Sequence, residues 1–127
     1  IGPDENMSNQ VIEWIAKYSK KYDYRPKSAF ITSKPKYGIN HKQYGVTSLG
    51  VVTYIEVLLR FIGIDPDNEP FTLKLSGGPD GDVAGNTILN LYKRFPKSAK
   101  IVALTDVSGT IQDLEGLDLE IMVKLFQ

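Results

Sequence analysis

The sequence has no cysteine and only one histidine, His41. The lack of cysteine excludes a disulfide framework and a thiolate metal site, and a lone loop histidine is usually solvated or structural. Fifteen basic and fifteen acidic side chains cancel, so the chain lacks the positive field that nucleic-acid binding needs. No run approaches the roughly 20 apolar residues of a membrane span. We therefore expect a cytoplasmic protein with neither a nucleic-acid nor a membrane partner.

Length and hydrophobic content indicate one domain. The 127 residues are 42% hydrophobic, enough for a single globular core and too few for two ordinary domains. The chain begins with Ile1 rather than Met, which is typical of a piece cut from a longer chain. We expect residues 1–127 to form one partial domain of a larger protein.

Hydrophobic spacing predicts two helices in the first half of the chain. Apolar residues recur at three- and four-residue intervals over residues 8–22, and lysines lie near the end, where the helix dipole favours cations. A second helix is expected to start with Thr47 or Ser48 as N-cap and to stop at Gly63. Prolines and glycines over residues 25–44 predict an ordered loop between them.

The second half of the chain alternates strands and helices. Residues 71–75 and 100–105 have the pattern of strands, and residues 83–95 and 117–126 have that of helices. The order predicts a right-handed βαβ unit with parallel strands. We expect an α/β fold in which two N-terminal helices precede a truncated βαβ unit. Because two strands leave a parallel edge exposed, we also expect a homo-oligomer.

A glycine-rich stretch, residues 76–86, separates the first strand from the helix that follows it. Gly78, Gly81 and Gly85 allow tight turns and a close approach of the backbone to a ligand. The first amides of a helix, here those of Asp82 and Val83, have no partner inside the helix and attract phosphate. The pattern predicts a nucleotide-binding loop. Its spacing departs from the G-x-G-x-x-G fingerprint, so an ordinary strand-to-helix turn is the alternative.

Asp106 directly follows the second predicted strand. It lies twenty-one residues after Gly85, close to the roughly 20-residue spacing at which a dinucleotide fold places an acid on the adenosine ribose. A carboxylate there accepts hydrogen bonds from the ribose diol and repels a 2′-phosphate, which favours NAD over NADP. The alternative is that Asp106 only starts the turn at residues 106–109.

Five strings that occur in one order resemble the cofactor domain of the glutamate dehydrogenases, and they lie within residues 2–7, 30–34, 44–51, 76–86 and 101–118. The Gly-Gly-Pro-Asp-Gly-Asp loop is similar to that of the large, NAD-specific branch. The resemblance implies a Rossmann-like dinucleotide-binding fold, NAD as cofactor, and the reversible oxidative deamination of L-glutamate to 2-oxoglutarate and ammonia. It also implies that substrate-binding lysines belong to a domain absent from this chain, so we expect the isolated chain to be inactive.

The resemblance also implies two site residues. Thr47 matches the threonine that contacts the nicotinamide amide, although its hydroxyl would equally suit a helix N-cap. Asp4 matches the aspartate that transfers protons during imine formation and hydrolysis, although an acid near a terminus is most often solvated.

Two acids in the glycine-rich stretch, Asp80 and Asp82, are electrostatically awkward beside a diphosphate. Either one of them caps the helix or a cation is recruited, and we expect no dedicated metal site. Two alternative functions stay open from the sequence. One is a dehydrogenase of another amino acid, and the other is a non-catalytic interaction module with the same fold.

Overall fold

The computed structural model describes residues 7–24, 31, 39–79 and 81–126. The chain divides into two compact units, residues 1–44 and 45–127. The single domain expected over residues 1–127 therefore stays a prediction, and each unit is described by itself.

The first unit contains helix α1 (Asn9–Lys21) and the short helix α2 (His41–Tyr44). α1 lies where the hydrophobic spacing predicts it, and the Ser8 hydroxyl accepts a hydrogen bond from the Val11 amide at 3.3 Å, as an N-cap should. One side of α1 packs Ile12 and Ala16 against Ile31 in a small core. The loop expected over residues 25–44 lies mostly outside the described residues, and its last four residues form α2 instead.

The second unit is a three-stranded sheet with three helices: α3 (Val46–Phe61), β1 (Phe71–Ser76), α4 (Asp82–Arg94), β2 (Ala99–Asp106), β3 (Gly109–Gln112) and α5 (Leu119–Phe126). The sheet order is β1-β2-β3, with β1 parallel to β2 and β2 antiparallel to β3. The predicted β-α-β order of parallel strands is present. Two details differ: in the part of the chain that the structure describes, three helices rather than two precede β1, and β3 adds a hairpin strand after β2.

Helix α3 begins earlier than the sequence indicates. Its N-cap is Gly45, which has a left-handed backbone with φ of +57°, a conformation that glycine adopts without a steric penalty. The Ser48 hydroxyl donates to the Gly45 carbonyl at 2.9 Å and so caps no amide. The expectation of an N-cap at Thr47 or Ser48 is therefore wrong, because both residues lie inside the first turn.

The core of the second unit lies between the sheet and its helices. α4 contributes Ile88 and Leu91, both completely buried, and β2 contributes Ile101. In the same core the rings of Phe71 and Phe95 meet edge to face, with centroids 5.7 Å apart, a favoured aromatic geometry. The remaining buried members are Val52, Ala99, Leu104, Met122 and Val123. Tyr92 of α4 stays 37% exposed.

An ion-pair cluster fastens α3 to α4 and to the loop before β1. Glu56 accepts hydrogen bonds from Arg60 at 3.0 Å and from Arg94 at 2.9 Å. Asp67 bridges the same two guanidinium groups, and Asp65 accepts from Arg60. The bond from Arg60, together with Arg94, holds the pKa of the Glu56 carboxyl below its usual range against the opposing effect of desolvation.

The segment His41–Phe61 is long and apolar enough to cross a membrane by length and composition alone, with a mean hydropathy of 1.2 over its best window. This corrects the expectation that no run approaches such a span. Core helices of soluble proteins pass the same test, and Glu56 and Arg60 of this segment are paired with Arg94 and Asp67 as described above.

Candidate functional site

The part of the glycine-rich stretch that precedes α4, called here the glycine-rich loop, begins where the two parallel strands end. Gly77, directly after β1, has φ of +119°, and its N–H donates to the Thr105 carbonyl near the end of β2 at 2.7 Å. A Cβ at this position would also lie 3.0 Å from the Ala84 side chain. The loop is therefore held at the carboxyl edge of the parallel strands, where open α/β sheets bind their ligands.

Gly81 links the loop to α4. Its N–H donates to the Gly78 carbonyl at 2.9 Å, and its own carbonyl accepts the first hydrogen bond of the helix, from Gly85. Because this N-cap residue is a glycine, it offers no side chain to bond the amides at the start of the helix. The amides of residues 82–84 precede that first bond, so they point out of the helix toward the loop. Such a helix end attracts anions.

Gly85 has a packing role. It is buried, and a Cβ at this position would overlap the Phe126 ring and the Pro79 carbonyl. Only glycine lets α5 and the loop close on this turn of α4. Of the three glycines predicted to form the loop, Gly78 and Gly81 form its turn. Gly85 lies in the helix and lets the Pro79 carbonyl and the Phe126 ring pack against it.

Asp82 and Val83, the two residues whose amides are predicted to bind a ligand, lie in the first turn of α4. Val83 is 41% exposed. The side-chain amide of Asn86, one turn later, donates to the Asp82 carbonyl at 2.9 Å and lies 3.4 Å from its carboxylate. Asp80 lies outside the described residues.

Asp106 is the last residue of β2 and is exposed. Its Oδ1 accepts hydrogen bonds from the Ser108 hydroxyl at 2.6 Å and from the Ser108 amide at 2.8 Å. These bonds, with a further backbone bond from Gly109, hold the pKa of the carboxyl below its usual range. Asp106 therefore does begin a turn, and both bonds from Ser108 end on Oδ1, so neither occupies Oδ2.

A cleft of about 270 Å³ lies beside Asp106. It opens between Pro79 of the loop, Leu104 and Asp106 of β2, the β2–β3 hairpin and α5. The cleft joins apolar walls to hydroxyl and carboxylate groups, a combination typical of small-molecule sites. The remaining lining residues are Ser108, Gly109, Thr110, Ile111, Met122 and Leu125.

Thr47 is exposed in the first turn of α3. A Cβ at Gly45 would lie 3.4 Å from the Asn86 side chain, so the amino ends of α3 and α4 are neighbours. The structure thereby brings the N-cap of α3, two residues before Thr47, next to the second turn of α4. Asp4 lies outside the described residues, and its predicted role stays a prediction.

Within the described ranges, no group of three or more histidine, aspartate or glutamate side chains comes together to hold a metal.

Sequence reasoning missed three contributors to this region: Gly77, Asn86 and Ser108. An Asp-x-Ser-Gly string at a strand end is a recognisable turn signal, and it could have pointed to Ser108 as the partner of Asp106. No local signal identifies the contact of Asn86 with Gly45, because the two residues lie on different helices.

Comparison with known proteins identifies the family of the chain. Residues 38–127 match the profile of the Glutamate/Leucine/Phenylalanine/Valine dehydrogenases. The chain belongs to this dehydrogenase family. The resemblance stated from the five sequence strings is therefore confirmed.

Individual relatives agree with this assignment. The chain is 34% identical over 128 residues to a probable NAD-specific glutamate dehydrogenase of Schizosaccharomyces pombe and 31% identical over 127 residues to the NAD-specific glutamate dehydrogenase of Neurospora crassa. The enzyme of that name from Saccharomyces cerevisiae is also 31% identical. These matches cover 98% of this chain but only 11% of each relative. The chain thus spans about a tenth of the length of these dehydrogenases.

A solved structure shows the same fold. The chain superposes on the hetero-hexameric glutamate dehydrogenase of Thermus thermophilus, in its leucine-bound form, with a TM-score of 0.68 and 22% identity. The match covers 98% of this chain and 29% of that one.

Proposed function

We propose that this chain is the first part of a Rossmann-like NAD-binding domain in an NAD-dependent glutamate dehydrogenase. One observation supports the proposal above all. The amide end of α4, the glycine-rich loop and Asp106 converge at the carboxyl edge of two parallel strands, beside a cleft. This is the arrangement in which α/β sheets hold dinucleotides, and the named relatives are NAD-specific enzymes.

The residues fit the parts of NAD. The amides of Asp82 and Val83, with the turn made by Gly78 and Gly81, would hold the diphosphate. The ionised carboxylate of Asp106 would accept hydrogen bonds from the adenosine ribose and would repel the 2′-phosphate of NADP. Gly85 would support this surface through its packing on α5.

The contact with the nicotinamide, which is the reacting end of the cofactor, is assigned to Thr47, whose hydroxyl would bind the nicotinamide amide. NAD, when bound, accepts a hydride from the α-carbon of the substrate. L-glutamate and 2-oxoglutarate would bind through a part of the enzyme outside this chain. Asp4 is proposed to transfer protons there, because general acid–base catalysis needs a carboxylate beside the reacting nitrogen. The edge of β1 opposite β2 is proposed to support homo-oligomer formation.

The test is a titration of the full-length protein with NAD and NADP by calorimetry. Gly81→Val adds bulk at the turn, where even a Cβ would lie 3.0 Å from the Gly78 carbonyl, and should weaken both cofactors. Asp106→Ala should weaken NAD binding by about tenfold or more and narrow the preference for NAD over NADP, since hydrogen bonds to a charged group are stronger than those between neutral groups.

Asp113→Ala is the matched control. Asp113 also accepts a turn amide, from Glu115 at 2.9 Å, but it does not line the cleft. The Asp113→Ala variant should bind NAD and NADP with unchanged affinities. Absence of NAD binding by the folded, unsubstituted protein would refute the proposal and favour a non-catalytic module. Turnover of another amino acid in place of L-glutamate would keep the cofactor assignment and correct the substrate.

A further inference from the structure

The first turn of α4 contains an electrostatic conflict. Under the proposed function, the diphosphate of NAD binds at the amide end of this helix, yet Asp82 places a carboxylate in the same turn. Like charges at such distances repel, most strongly where water is excluded. Something must keep the Asp82 charge away from the ligand.

Asn86 is placed to do so. Its side-chain Nδ2 lies 2.9 Å from the Asp82 carbonyl and 3.4 Å from the Asp82 Oδ1. The Asn86 amide therefore lies beside the Asp82 carboxylate on the side of the second helical turn, where their attraction would hold the carboxylate back from the amide end of the helix. A partially positive N–H group next to the carboxylate also offsets part of its charge.

The position of Asn86 is fixed by packing. The residue is 6% exposed, and its side chain abuts Gly45 at the start of α3. One turn later the same face of α4 is tied to α3 again, where Asn90 donates to the Ser48 hydroxyl at 3.3 Å. Asn86 thus contacts both the first turn of α4 and the turn that leads to Thr47.

We propose that Asn86 is a positioning residue. It holds the charged carboxylate of Asp82 away from the bound diphosphate and fixes the position of the glycine-rich loop relative to the start of α3. The proposal rests on the proposed function, because it needs a diphosphate at this helix end. Asn86 acts through Asp82 and has no assigned contact with the cofactor.

The experiment measures dissociation constants of the full-length protein for two probes, NAD and adenosine, which lacks the diphosphate. Asn86→Ala should raise the constant for NAD by about tenfold and that for adenosine by less than about twofold. Asn90→Ala, the matched control, removes a hydrogen bond between the same helices. It should lower the melting temperature without changing the ratio of the two constants.

A double-mutant cycle with Asp82→Asn tests the mechanism, because coupling between two positions reports their direct interaction. If Asn86 acts on the Asp82 charge, adding Asn86→Ala to the Asp82→Asn variant should reduce NAD affinity by less than about threefold. An equal loss in both backgrounds, or an Asn86→Ala variant that behaves like Asn90→Ala, would overturn the inference while leaving NAD binding intact. If the unsubstituted protein binds no NAD, the proposed function itself fails.

Discussion

Replacing Gly85 with alanine should destabilise the second unit, although alanine normally favours helices. The added Cβ would overlap the Phe126 ring and the Pro79 carbonyl. The ring can rotate, but the carbonyl belongs to the backbone of the loop and can move only if the loop moves. The substitution therefore has two opposing effects on stability: it disturbs the packing of α5 and the loop, and it raises the helix propensity of α4.

The two effects differ in size. Overpacking a closed site costs about 1–3 kcal/mol, and two simultaneous overlaps place Gly85→Ala at the upper end of that range. The gain in helix propensity is about 1 kcal/mol. The net loss in the free energy of unfolding is then about 2 kcal/mol, which lowers the melting temperature by about 8 °C in a chain of this size.

Gly50→Ala supplies a control with the opposite sign. Gly50 lies inside α3, and a Cβ there would meet no heavy atom within 4 Å. It should gain about 1 kcal/mol from propensity alone, raising the melting temperature by about 4 °C. Both variants can be compared by thermal unfolding followed by circular dichroism. A Gly85→Ala protein as stable as the unsubstituted one would refute the steric argument, and so would a Gly50→Ala protein that loses as much.

Two further predictions concern charged groups. Arg94→Ala removes bonds to two carboxylates and should lower the free energy of unfolding by about 1 kcal/mol at low salt. Lys124→Ala breaks one exposed pair and should lower the urea midpoint by less than Arg94→Ala does; equal urea midpoints would contradict this. Since the folded pKa of Asp106 is depressed, its contribution to stability is present above about pH 3.9 and is lost as the pH falls through the folded value. Ser108→Ala should raise that pKa, and an unchanged carboxyl titration by NMR would show that the serine does not hold it.

Much of the second unit could be predicted because its hydrophobic periods are regular. The helix expected over residues 83–95 is α4 within one residue at each end, and β2 extends the expected strand 100–105 by one residue on either side. β3 was missed because its four residues are all exposed and therefore carry no alternation. The start of α3 was misplaced because Gly45 uses a left-handed backbone, while serine and threonine are strong N-cap signals.

The candidate site was only partly predictable for a physical reason. Gly81 and Asp106 follow from spacing along one chain segment, which a sequence displays directly. The contact of Asn86 with Gly45 and that of Gly85 with Phe126 arise between segments far apart in sequence. Only packing in three dimensions reveals them.

The contact between Gly85 and Phe126 has a consequence for the order in which the molecule is made. The two residues are separated by forty-one positions, so β1, the glycine-rich loop and α4 have already been synthesised before the Phe126 ring exists. The loop can reach its final packing only after α5 has been translated and has docked. A chain cut before α5 would keep every glycine of the loop and still lack the surface against which the loop is set.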